Sequence, residues 1–238
     1  THGILGNNWY KFYKSISMNP IMVKKELPGY LADRLQEALW CSCIMTDQLW
    51  FVFDTSNQYI AAALYRGRQK IQSIIEFMPR GQAERLMSLL NGLLEGASLD
   101  WSDIAKIGVC TGPGNFTGIR IAVSAARGLA LGLEIPAIGI SSFEATLLGC
   151  GDEDLALLPA NKGFYYVGSG PKNAKFLSEE EIDSDRTKYV HRATPEIQLK
   201  NIALLTLKKE TDFSRPTPCY IKPADAAPSS NKAPNLLK

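Results

Sequence analysis

The chain is 238 residues long, 45% hydrophobic and 21% charged, with a formal net charge of +2. Those values describe a soluble globular protein able to bury a core of ordinary size in one large or two small domains. The charge is too small to predict nucleic-acid binding, and no dense Lys/Arg run with interleaved aromatics supplies a basic patch.

Residues 1–44 differ from the rest. Aromatics, Asn and Lys are mixed there without a clear period, and only Leu27, Leu31, Leu35 and Leu39 repeat, around Pro28. They read either as an appended helix docked on the core or as upstream sequence with Met45 as the true start. The second reading is preferred, because the first core strand opens just after Met45. From residue 49 the pattern is orderly. Residues 49–53 predict a strand closed by the turn formers Asp54-Thr55-Ser56-Asn57. Residues 59–65 and 70–77 predict two more strands around the Arg66-Gly67-Arg68 turn, giving an antiparallel meander. Pro79-Arg80-Gly81 opens a helix in which Leu86, Leu89, Leu90, Leu93 and Leu94 recur at three and four residues, opposite Glu84, Ser88, Asn91 and Glu95.

A βαβ unit follows: a strand at 107–110, a break at Thr111-Gly112-Pro113-Gly114, a helix from near Thr117 to about Gly132, and a strand at 137–140. After Glu144 the character weakens. Strands are expected at 155–159, 164–167 and 174–177, a helix at 195–209, and a closing strand at Cys219-Tyr220-Ile221. Residues 224–238, rich in Pro, Ala, Ser and Asn, predict disorder.

Three places could carry function. The loop Gly112-Pro113-Gly114-Asn115-Phe116-Thr117-Gly118 fails the Walker pattern for want of a lysine, and fails the dinucleotide fingerprint because Thr117 stands at the third glycine. It reads as an anion nest or, preferably, as a tight strand-to-helix connection. Asp54 with Thr55 and Ser56 could hold a hydrated magnesium and touch phosphate oxygens, but an Asx-type turn is the commoner use of such a tripeptide. The sequence names no partner for Asp54. Ser124, Gly128 and Gly132 form a ridge of small residues on one helix face, suited to packing on its own sheet or to a partner's helix.

Cys41, Cys43, Cys110, Cys150 and Cys219 include no CxxC pair, so neither a disulfide framework nor a zinc knuckle is expected, and a reducing cytoplasm is the simpler home. His2 and His191 are too far apart to suggest a metal site, and none is expected. The longest apolar run, 128–140, carries Glu134 and Pro136 and falls short of the roughly 20 residues of a membrane span. No membrane contact is expected.

DTSNQYIAAAL, PRGQAERL, CTGPGNFTGIRIAVSAARGLALGLEIPAIGISSFEA and CYIKPADA resemble, in that order, the pattern of the bacterial TsaB family, also called YeaZ. The resemblance covers residues 49–226, strongly up to Ala145 and thinly beyond. It implies an α/β, actin-like ATPase (ASKHA) fold of two RNase H-like lobes with the second reduced. The division it suggests is an extension at 1–44, a first lobe at 45–145, a smaller lobe at 146–223 and a tail at 224–238.

The resemblance also implies a part in making threonylcarbamoyladenosine beside the tRNA anticodon. The chain would be a subunit without chemistry or cofactor of its own. Its partners would be a catalytic TsaD-type paralogue and a TsaE-type ATPase; tRNA would be met through the complex, with a homodimer as a possible resting form. The alternative is a catalytically active ASKHA-type ATP-dependent transferase or metallopeptidase-like enzyme using Asp54 and the Gly112–Gly118 loop. The partner surface implied comprises Arg80, Gln82, Glu84, Arg85, Leu86, Leu89, Leu90 and Leu93 on one helix, and Arg120, Ser124, Arg127, Gly128 and Gly132 on the other. Asp54, Thr55, Ser56, Gly112 and Gly114 would be a weak, vestigial nucleotide site. Catalytic relatives carry HxxxH after the βαβ unit; here Ser142 and Thr146 stand at those two positions, where hydroxyls are poor metal ligands. The family's Asp-Ala-x-x-x-Glu-Val-Tyr run becomes Pro159-Ala160-Asn161-Lys162-Gly163-Phe164-Tyr165-Tyr166, without either acid.

Overall fold

A computed structural model describes residues 48–182, 188–209 and 215–221. The extension expected at 1–44 and the tail expected at 224–238 lie outside the described residues. The meander forms as β1 (Leu49–Asn57), β2 (Tyr59–Arg66) and β3 (Gln69–Phe77). Helix α1 (Gln82–Gly96) leads to β4 (Ile104–Cys110), and α2 (Phe116–Leu133) leads to β5 (Ala137–Ile140). The five-stranded sheet has the order β3-β2-β1-β4-β5, with β1, β2 and β3 antiparallel in turn and β1, β4 and β5 parallel.

One face of this sheet presents Phe51, Phe53, Ile60 and Leu64 to Leu86, Leu90, Ala122 and Ala126 of α1 and α2. The other face is covered too. Val52 pairs with Gly108 and with Ala63, so the Val52 and Ala63 side chains share a face with the bare Cα of Gly108, which lies directly under α4 (Pro195–Lys208). A Cβ at Gly108 would stand 2.2 Å from Thr206 Oγ1, so only glycine allows this approach. Burial on both faces is why β1 and β2 read as unbroken apolar runs instead of alternating.

The second sheet is smaller: β6 (Leu155–Pro159), β7 (Phe164–Gly168), β8 (Lys175–Ser178) and β9 (Tyr189–His191), in the order β8-β7-β6-β9. Its antiparallel β6, β7 and β8 and its parallel β6–β9 pair repeat the pattern of β1, β2, β3 and β4. This is the mixed α/β architecture of the actin-like fold, with the second lobe reduced. A short helix, α3 (Ser142–Leu147), joins the halves through Phe143, buried with Ala156 and Leu158 of β6.

Several expectations need correction. Asp54, Thr55, Ser56 and Asn57 are the end of β1, not a turn beyond it. Strand β9 and helix α3 were not anticipated. Cys219-Tyr220-Ile221 joins no sheet; this segment runs as a strap, fixed where the Cys219 N–H donates to Thr111 O at 2.8 Å. Helix α4, expected within the second lobe, packs on β1, β2, β4 and β5 of the first sheet. Helix α2 is long and apolar enough to cross a membrane by length and composition alone, a helix that the apolar run weighed at 128–140 overlaps only in part. Its Ile119, Ala122, Val123 and Ala126 are instead buried inside the protein.

Candidate functional site

The polar end of β1 is enclosed. Asp54, Thr55 and Ser56 are each at most 1% exposed. Asp54 Oδ1 accepts the Ser56 N–H at 2.7 Å, and Thr55 Oγ1 donates to Gly118 O at 2.6 Å. The glycine loop lies directly on this strand end, with the Asn115 N–H donating to Ser56 O at 2.7 Å. A Cβ at Gly114 would meet Ser56 O at 2.2 Å, and one at Gly118 would meet Thr55 O at 1.9 Å. Gly112 has a φ of 90°, in the left-handed region. These glycines let two backbones touch. That is the tight connection weighed for the loop, and the Asn115 amide already has its acceptor in β1.

Sequence reasoning found no partner for Asp54. The structure supplies Arg192, which follows β9, at 3.0 Å from Asp54 Oδ2. Nη2 of Arg192 also donates to Ser56 Oγ at 2.9 Å and Tyr59 OH at 3.2 Å, while Nη1 reaches Ser142 Oγ at 3.4 Å. Tyr59 OH in turn donates to Asp54 Oδ2 at 2.9 Å. Burial, the largest single influence, opposes the charge on Arg192, but Asp54, Tyr59 and Cys110 together outweigh it and hold the guanidinium protonated beyond its ordinary range. One signal in the sequence pointed to a cation without naming it. A buried acid at the end of an apolar strand has to be neutralised by something, but thirteen Lys and Arg follow β6 and no spacing among them singles out Arg192.

Ser142 and Thr146 are also turned inward. Ser142 Oγ donates to Pro113 O at 3.0 Å, and Thr146 Oγ1 accepts from Gln198 Nε2 at 3.2 Å. Cys110, fully buried, lies with its Sγ 3.4 Å from Ser142 Oγ. Burial first, and then Asp54, push its thiol up to about 11. Among the described residues no three His, Cys, Asp or Glu side chains gather as a metal would need. Hydroxyls already committed to a carbonyl and an amide do not fit the metal that an HxxxH pair would hold.

The residues expected at a partner surface divide in two. Leu86, Leu89, Leu90 and Leu93 are buried against their own sheet, so as surface residues they are a correction. Gln82 is buried as well, and its Nε2 donates to Asn57 O and Tyr59 O. Arg85 is held by Glu76 through three hydrogen bonds. Arg80, Glu84, Arg120, Ser124, Arg127, Gly128 and Gly132 are exposed. The ridge of small residues therefore faces away from its sheet. At Gly92, Gly128 and Gly132 a Cβ would find open space, and beside them Leu131 is 78% exposed. Arg120 stacks over Phe116 at 3.8 Å and donates to Tyr220 OH at 2.9 Å, which ties the strap to the start of α2.

Residues 76–224, more than half of the chain, match the family model "TsaD: tRNA N6-adenosine threonylcarbamoyltransferase". The tRNA threonylcarbamoyladenosine biosynthesis protein TsaB of Bacillus subtilis is 34% identical over 118 residues, 48% of this chain and 52% of that protein. The chain thus spans about half the length of the curated relatives it matches. The crystal structure of a Pseudomonas aeruginosa protein with similarity to peptidase YeaZ is 21% identical. It covers 74% of this chain and 100% of its own, with a TM-score of 0.58, a likeness of fold. A separate 30-residue match, 60% identical, is to L-carnitine dehydrogenase of Pseudomonas syringae and covers 9% of that enzyme. The solved structure shows the shared fold, and by the TsaD-type model over more than half of its length together with the curated TsaB relative, the chain belongs to the TsaD-type family as a TsaB (YeaZ) member.

Proposed function

We propose that this chain is a non-catalytic partner subunit that pairs with a catalytic TsaD-type paralogue in making threonylcarbamoyladenosine on tRNA. The observation that carries this reading is the outward face of α2. Gly128 and Gly132 offer bare backbone to solvent there, beside the exposed Leu131 and the guanidinium of Arg127. A helix with small residues outward admits a second helix at close range, and a lone structural helix has no use for that surface. Arg80, Glu84, Arg120 and Arg127 sit around it as orienting charges, which affect encounter and register more than affinity.

The cleft supports the absence of chemistry. A catalytic carboxylate needs access to a substrate, and the buried Asp54 is already held by the Arg192 guanidinium, the Tyr59 hydroxyl and the Ser56 N–H. The hydroxyls that replace the two histidines are bonded to the protein itself. In this reading the residues 54–56 and the Gly112–Gly114 loop are a vestige of a nucleotide site, and a TsaE-type ATPase supplies the nucleotide chemistry. The protein acts in the cytoplasm and meets tRNA through the assembled complex.

Gly128→Trp tests the interface. The indole enters open space, so the free chain keeps its melting temperature, while co-purification with the paralogue is lost. Wild-type recovery of the pair with Gly128→Trp, or ATP hydrolysis by the chain alone, would overturn the proposal. Sizing chromatography with and without the paralogue reports whether the same face is covered by a second copy in the resting state.

A further inference from the structure

Arg192 directly follows β9 of the second sheet, yet its guanidinium's acceptors all lie in the first half of the chain or at the start of α3. They are Asp54 Oδ2 at 3.0 Å, Ser56 Oγ at 2.9 Å, Tyr59 OH at 3.2 Å and Ser142 Oγ at 3.4 Å. With its amide oxygen facing the guanidinium, Asn57 accepts from Nη2 at 2.9 Å, Nη1 at 3.0 Å and Nε at 3.2 Å. The side chains of Arg192 and Asp54 are 9% and 1% exposed. The acceptors are oxygens throughout and surround one centre. Such a shell suits a cation, and here the cation is covalently part of the chain. A guanidinium cannot be deprotonated in a protein, and its planar fork serves several oxygens at once, which a lysine ammonium does not.

We propose that Arg192 is a built-in cation that occupies the centre between Asp54 and Ser142 and fastens the second sheet to the first in one fixed register. It is a positioning residue. It orders Asp54, Ser56, Asn57, Tyr59 and Ser142 about itself, and it denies their centre to a free cation or a phosphate. The lobes of this chain consequently lack the hinged cleft that an exchangeable ligand would need. This holds whether or not the chain pairs with a catalytic paralogue.

The test is chemical rescue in the full chain. Arg192→Ala leaves Asp54 buried and unpaired, and its melting temperature falls by about 10 °C. Methylguanidinium at millimolar concentration returns at least half of that loss, whereas sodium chloride at equal ionic strength does not. Arg192→Lys recovers less than methylguanidinium does. Small-angle scattering of Arg192→Ala shows a larger radius of gyration that methylguanidinium reverses. In Asp54→Asn/Arg192→Ala the rescue disappears. If Arg192→Ala does not fold, Asp54→Asn/Arg192→Met decides, because it removes both charges and keeps the stem. Its return to near wild-type stability is expected. An unchanged melting temperature in Arg192→Ala, a fall that methylguanidinium leaves untouched, or a double variant as unstable as the single one each overturns the proposal.

Discussion

Cys110 and Tyr59 are both buried in the field of one carboxylate, and their acid–base behaviour follows from burial first and that charge second. Each is neutral when protonated, and each would become an anion near Asp54 in a buried site. Burial and then Asp54 push the Cys110 thiol up to about 11, and the same two causes, in that order, raise the Tyr59 phenol. The sign of the linkage is therefore fixed. Above pH 9 the unfolded chain releases these protons before the folded one does, so the folded state is the one that binds more protons. The contribution is complete below the unfolded pKa values and is lost as pH rises through the folded ones. Melting temperature should fall steeply between pH 9 and 11, and Cys110→Ala should flatten that slope even if it lowers the plateau. An equal slope in the variant would mean that other groups set alkaline stability. The same burial makes Cys110 inert in the native state. Among Cys110, Cys150 and Cys219, iodoacetamide should alkylate the exposed Cys150 first and reach Cys110 only on unfolding.

Helix α2 carries two glycines that demand opposite answers to one substitution. Glycine in a helix interior is worth about 1 kcal/mol less than alanine, so alanine ought to stabilise wherever there is room. At Gly128 there is room, and Gly128→Ala should raise stability by about 0.5–1 kcal/mol. At Gly118 the new Cβ would stand 1.9 Å from Thr55 O, a backbone atom that cannot swing aside. Gly118→Ala should lose about 2–3 kcal/mol, since overpacking reverses the helix gain. Urea titrations of the two variants check this, and a loss at Gly128 would show that its outward face is already covered in the free chain.

The contrast between these glycines also explains what could be read from the sequence. The strands of the first sheet and both of its long helices follow from apolar runs and from leucine spacing, because local burial dictates those patterns. Spacing alone, however, could not tell whether the leucines of α1 face the sheet or a partner. They face the sheet. The Asp-Thr-Ser-Asn run suggested a turn because its residues are turn formers, and Asp54 does accept the Ser56 N–H locally; Gly118, Asn115 and Arg192 hold the run in the strand from far along the chain. Strand β9 has three residues and α3 has six, too few for either periodicity to register.

At the scale of the molecule, the chain visits its first sheet twice. It builds β1 to β5, leaves to form the second sheet, and returns with α4 and the strap to close what it left open. Trp50 and Val52 pair across β2 with Tyr65 and Ala63, and across β4 with Lys106 and Gly108. All six lie on the face that α4 covers, and Trp50, Val52 and Ala63 have no exposed surface. The strap adds Pro216, whose Cα and Cβ lie within 3.4 Å of where a Cβ on Gly139 would be. A sheet must bury both apolar faces, so the first lobe is not independent of the residues that follow it. A fragment of residues 48–147 keeps every strand of the five-stranded sheet yet loses α4 and the strap. It should therefore associate in sizing chromatography and bind anilinonaphthalene sulfonate, whereas residues 48–221 should run as a folded species without dye binding. A monomeric 48–147 fragment with a sharp thermal transition would show instead that α1 and α2 alone suffice to hold the sheet.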